Sequence, residues 1–136
     1  MSGVAIVRAM LAAHAPLLAL SPGIVVYAGV VPQGKALPAI SVTSVSETEQ
    51  ITTARGLATK MTRERVQVTV LVKDNYPLLK NLLKAASLGA GVHTGVVLGY
   101  RVRSVLTWGV GPEIPPGDDK IYEQSRDFMV TFIEAN

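Results

Sequence analysis

Apolar and polar residues alternate with a period of two over several stretches of the chain, and this pattern predicts most of its sheet. The clearest case is Arg65–Lys73, where Val66, Val68, Val70 and Val72 alternate with Arg65, Gln67, Thr69 and Leu71. Ile40 and Val42 alternate with Ser41 and Thr43 in a predicted strand Ala39–Ser46. The phase slips between Ser44 and Val45, which predicts a bulge or the strand's end there. Ile24–Tyr27 reads as a short apolar strand, and Ile121–Ile133 as a closing strand with Phe128, Val130 and Phe132 in step. Val96–Trp108 reads as one long strand, with Tyr100, Val102, Leu106 and Trp108 on one face and Arg101, Arg103 and Thr107 on the other.

Two segments carry helical spacing instead. Val4, Val7, Leu11 and His14 or Leu18 recur at intervals of three and four, after a Ser2 placed to cap them; Pro16 ends or bends this helix, and Ser21-Pro22-Gly23 is a turn. Asp74-Asn75-Tyr76-Pro77 supplies capping side chains followed by a proline suited to a first turn. Leu79, Leu82, Leu83 and Ala86 then form an apolar stripe opposite Lys80, Asn81, Lys84 and Ser87, and Gly89 is placed to end the helix. Burying three leucines at roughly 1.5–3 kcal/mol each is enough to dock so short a helix on a sheet. The expected fold is α+β: a mostly antiparallel sheet of four to five strands, with the N-terminal helix and the second helix on one face. Residues 1–136 are expected to form one domain.

Between two of the strands lies Glu47–Glu64, polar and far longer than the two to five residues a hairpin turn needs. It holds Arg55, Lys60 and Arg63 against Glu47, Glu49 and Glu64, with no histidine or aspartate. It is expected to be a projecting hairpin arm, poorly equipped for chemistry and well equipped to reach a neighbour.

Composition narrows the classes. Aromatics are only 5%, so the core is built from Val, Leu, Ile and Ala; charged residues are 17%, below the usual quarter, which fits a surface partly covered by partners. The absence of cysteine excludes disulfides, thiol catalysis and zinc–thiolate sites. A net charge of +3 with no basic run longer than two argues against nucleic-acid binding as the main task. The apolar N-terminal stretch is interrupted by Arg8, His14 and Pro16 and lacks a basic leader, so it reads as part of the fold and no membrane partner is expected.

No set of residues in the sequence is arranged to run a reaction, and neither a cofactor nor a metal is expected. Gly29–Lys35 satisfies GxxxxGK, but Ala36 stands where a phosphate loop needs Ser or Thr, and Leu37-Pro38 leads into a strand. A nucleotide-binding domain built on Lys35 is the alternative this match keeps open. A nucleic-acid-binding module built on Arg101 and Arg103 is another, weakened by the lack of aromatics for base stacking. Gly89, Gly91 and Gly95 follow a helix rather than a strand, His14 and His93 lie in unrelated elements, and Ser125-Arg126-Asp127 lies within a strand. Asp118-Asp119 is explained by turn chemistry after Pro115-Pro116-Gly117.

The run Ile24–Ile40 (IVVYAGVVPQGKALPAI) resembles the strand, Tyr-x-Gly, Pro-Gln-Gly, Leu-Pro, strand signature of the tailed-phage tail completion proteins, or tail terminators, which join tail to head. Arg65-Val66-Gln67-Val68 is similar to that family's middle strand, and Ile121–Val130, with its Tyr…Ser-x-Asp-Phe spacing, to its closing strand. Lys35 and the length of the 47–64 arm depart from the family pattern. The resemblance implies a virion protein without enzymatic activity: a homo-oligomeric ring, typically a hexamer, at the head–tail junction. Such a ring caps the tail tube, contacts the tube protein and the head connector, and lets DNA pass through its opening without specific binding. On that reading the contact residues are Gln50, Arg55, Leu57, Lys60, Met61 and Arg63 in the arm, and Glu113, Asp118 and Asp119 in the loop Gly109–Lys120. The cations supply steering and Leu57 and Met61 the apolar anchors.

Overall fold

The alternating segments assemble into one twisted sheet. The computed structural model of the chain describes residues 2–50, 59–88 and 93–135. The strands are β1 (Val25–Ala28), β2 (Ala39–Gln50), β3 (Thr59–Lys73), β4 (Gly95–Val97), β5 (Tyr100–Val110) and β6 (Ile121–Ala135), in spatial order β1-β2-β3-β6-β5-β4. The β1–β2 pair is parallel and the other pairs are antiparallel, so the α+β expectation holds. Helices α1 (Ser2–Ala12) and α3 (Tyr76–Ala85) pack on the sheet, and α2 (Ala15–Leu20) packs beside α3.

The core lies between the helices and one face of the sheet. The four valines of β3 are buried with Ile40, Val42, Phe128, Val130 and Phe132, under Val4, Ile6, Val7, Leu11, Leu79, Leu82 and Leu83. α3 starts as its sequence predicts: Asn75 Oδ1 accepts a hydrogen bond from Leu78 N at 3.2 Å and Pro77 sits in the first turn. Gly89 lies outside the described residues. The Ser44 bulge is present, where the register jumps to Ser46.

The sheet has six strands because the segment read as one long strand turns back on itself. Leu98 and Gly99 both have positive φ, 51° and 81°, the conformation of a tight two-residue hairpin turn. Further along, the register shifts between Val102 and Ser104, so Arg103 forms a bulge that reverses the alternation. Val105 is therefore the core residue and Leu106, read on the same face as Val102, is 41% exposed; a second shift, between Thr107 and Gly109, puts Trp108, 60% exposed, at another bulge.

The N-terminal helix is also two helices. His14 is extended (φ −80°, ψ 108°) and Pro16 opens α2, which resets the phase so that Leu17 is buried while Leu18 is exposed. Ser2 lies inside α1 rather than capping it, and its hydroxyl approaches Tyr100 OH and Glu134 Oε2 at 3.3 Å.

Of the segment read as a projecting arm, the described residues 47–50 and 59–64 are strand. β2 pairs with β3 as far as Gln50↔Met61, and β3 is paired on its other side with β6 as far as Thr59↔Ala135. Thr62 and Glu64 continue the inward alternation of the valines and are fully buried. Their polarity is met locally: Thr62 Oγ1 donates to Glu134 Oε1 at 2.7 Å, and Gly3 N at the start of α1 donates to Glu64 Oε1 at 3.3 Å. A carboxylate suits that position because the first N–H groups of a helix lack intrahelical acceptors.

Candidate assembly interface

The covering strands at the two margins of the sheet are short, and each leaves part of a long strand open. β1 covers β2 only from Ala39 to Val42, so Thr43–Gln50 has no outer partner strand among the described residues. Residues Ser44 to Glu49 are exposed, Val45 at 48%. β4 covers β5 only from Tyr100 to Val102, so Arg103–Val110 has no outer partner strand among the described residues. An open edge presents free N–H and C=O groups and is a template for another strand unless something blocks it.

The predicted contact residues fall into two groups at opposite ends of the strands. Gln50, Met61, Ile133 and Arg101 share one row across the sheet, next to the row of Lys60 and two rows from that of Arg63. Lys60 Nζ is 2.6 Å from Glu49 and 3.8 Å from Glu134; the hydrogen bond to Glu49 raises its pKa above the ordinary lysine value. Arg63 is exposed and Met61 half-buried, both on the face without helices. Arg55 and Leu57 lie outside the described residues. At the far end, Glu113 is held by the protein itself, by Lys80 of α3 and by Tyr76 OH at 2.6 Å. Those hydrogen bonds, Lys80 first, lower the pKa of Glu113. Asp118 and Asp119 are exposed, and Asp119 Oδ1 accepts from Ile121 N at 3.2 Å in a local turn. The arm residues and the loop residues therefore do not form one site.

Sequence reasoning missed two polar assemblies. One is the Thr62–Glu134–Ser2–Tyr100 cluster at the start of α1, whose members are spread over the whole chain. The other lines an open groove of about 930 Å³ between α2, α3 and β5, walled by His14, Leu20, Lys84, Trp108, Val110 and Arg126. Arg126 Nε is buried there with no hydrogen-bond partner among the described residues, and burial lowers the pKa of the guanidinium.

The catalytic alternatives gain nothing from the geometry. The Gly29–Lys35 loop leads into β2, not a helix, so it offers no helix N-terminus to a phosphate. Among the described residues no three His, Asp or Glu side chains are grouped to hold a metal, and no helix is long and apolar enough to cross a membrane.

Among solved structures, the fold is similar to that of a chain in the virion of a native gene transfer agent (GTA) particle, with a TM-score of 0.72 over 98% of this chain and 97% of that one. Identity is 17%, so the likeness is one of fold. No protein-family model matches the chain, and no curated protein matches it.

Proposed function

We propose that this chain is a structural virion protein of a tailed phage or phage-like particle, acting as a ring at the head–tail junction that caps the tail tube and joins it to the head connector. The observation that carries this reading is the end-to-end likeness of fold to a chain from an assembled virion. The motif resemblance at residues 24–40 and 121–130 and the two open sheet margins support it. The proposed contacts are Gln50–Arg63, with Arg55, Leu57, Lys60 and Met61, towards a neighbouring subunit or the tube, and the loop with Glu113, Asp118 and Asp119 towards a further virion protein. DNA passes through the opening without specific binding.

The test is genetic and structural. Particles made without this chain should carry tails of uncontrolled length that fail to join heads, and purified protein should appear as six-fold rings by electron microscopy. Particles with normal, joined tails in its absence would refute the role.

A further inference from the structure

Arg126 is a cation on the core face of the sheet to which the protein offers no acceptor. Phe128, Val130 and Phe132 are buried at every second position of β6, and Arg126 and Gln124 continue that alternation, paired in register with the buried Val68 and Val70 of β3. The two polar residues fare differently. Gln124 is buried and satisfied: its Oε1 accepts from Lys80 Nζ at 2.7 Å and its Nε2 donates to Gly111 O at 2.9 Å. Arg126 Nε is buried with no hydrogen-bond partner among the described residues, and burial alone lowers the pKa of the guanidinium, with no carboxylate opposing it. An unpaired buried donor costs stability, and more so on a charged group, so a retained one calls for an acceptor from outside the chain. Solvent in an open groove serves the free chain. A carboxylate serves a guanidinium better, through charge-assisted hydrogen bonds.

The groove of about 930 Å³ that Arg126 lines combines apolar walls with unopposed positive charge. Leu20 of α2 and Trp108 and Val110 of β5 are 43%, 60% and 55% exposed along it. Trp108 falls where the β5–β6 register shifts between Thr107 and Gly109, a bulge that frees it from pairing, and Val110 lies directly across from Arg126. Lys84, exposed on α3, adds a second cation, and no Asp or Glu lines the groove. Tryptophan and arginine are the residue types enriched at binding hot spots. A run of phosphates would need a path of cations rather than two among aliphatic walls. We propose that this groove binds a short peptide segment of another protein, one that carries a carboxylate beside a large apolar side chain. The carboxylate pairs with Arg126 and Lys84, and the apolar side chain packs on Trp108, Leu20 and Val110. None of the contact residues proposed above lines the groove, so this docking site goes beyond the ring reading and does not depend on it.

Trp108 is the only tryptophan, so its fluorescence reports occupancy. A library of capped heptapeptides, random but free of tryptophan, selected on the immobilised chain should yield sequences with Asp or Glu next to a large apolar residue. The selected peptides should shift Trp108 emission saturably. Replacing their acid by its amide, or Arg126→Gln in the protein, should weaken binding by about tenfold or more, as loss of a charge-assisted pair does. Lys84→Gln, on an exposed side chain, should weaken it by a smaller factor and keeps the test decisive if circular dichroism shows Arg126→Gln unfolded. A library that yields nothing, selected peptides without acids, binding that leaves Trp108 emission unmoved, or affinity indifferent to these variants overturns the proposal. A Trp108 shift with protein concentration alone would make the occupant a second copy, and one produced equally by duplex DNA would make it a nucleic acid; either overturns the peptide. Rings at the head–tail junction whose groove selects no such peptides overturn this site and leave the ring reading standing.

Discussion

Gly3 and Glu64 show how one contact ties the N-terminus to the sheet. A Cβ on Gly3 would lie 2.8 Å from Glu64 Cδ and 3.1 Å from its Cβ. Alanine ordinarily stabilises a helix over glycine by about 0.5–1 kcal/mol. Here overpacking wins, because Glu64 is fully buried and has nowhere to swing. Gly3→Ala should cost about 1–3 kcal/mol in urea unfolding, and less in a Glu64→Ala background, a non-additivity that identifies the contact. The Tyr76–Glu113–Lys80 tie makes a pH prediction. The pKa of Tyr76 is raised, chiefly by its hydrogen bond to Glu113, so its contribution is present below the ordinary value of 10.0 and is lost as pH rises through the raised one. The pKa of Glu113 is lowered, so its contribution is present above 4.5 and is lost as pH falls through the depressed value. An ultraviolet absorbance titration should show a late-ionising component that is lost in Tyr76→Phe, and Glu113→Gln should shift that component to lower pH.

Elements whose pattern is local were legible in the sequence. The β3 valines, the α3 leucines and cap, and the Ser44 bulge needed no information from elsewhere in the chain. What was illegible depended on a partner far away or on one residue changing phase. Thr62 and Glu64 read as polar arm because nothing nearby announces that Glu134 and the start of α1 will meet them. Arg103 reverses the faces of Ser104–Thr107, a second shift at Trp108 restores the phase for Gly109 and Val110, and exposed Arg101 and Arg103 conceal the first by reading as an ordinary polar face. The bulge is testable. Val105→Ala should destabilise by on the order of 2 kcal/mol, as loss of a buried branched side chain does, while Leu106→Ala should fall within about 0.5 kcal/mol. The opposite order in denaturant melts would restore the unbroken alternation. The site residues were only half legible for the same reason: their charge was visible, but not that Lys60, Met61 and Arg63 belong to an interior strand while Glu113 is engaged by α3. A deletion through Thr62 would therefore cut into the sheet. Replacing only residues 51–58 with a short Gly-Ser linker should keep the circular dichroism spectrum, and loss of rings in that variant would assign this segment to assembly.

For the whole molecule, the surface is lightly charged and its net charge of +3 is too small to drive association by itself. Exposed charges such as Arg63, Arg101 and Arg103 act between copies only at close approach, within a Debye length of about 8–10 Å at ordinary salt. They should therefore govern how fast copies find each other in register more than how long they stay together. In the ring proposed above, exposed apolar side chains such as Val45 and Leu106 would hold neighbours together with far less sensitivity to salt. Raising salt from about 0.05 to 0.5 M should slow assembly measured by light scattering by on the order of tenfold or more, while dissociation of preformed rings changes little. Assembly should also raise the thermal midpoint as protein concentration rises, because only the folded chain presents its contact surfaces. If salt instead accelerated dissociation and left the forward rate alone, the charges would be holding the ring rather than guiding its assembly.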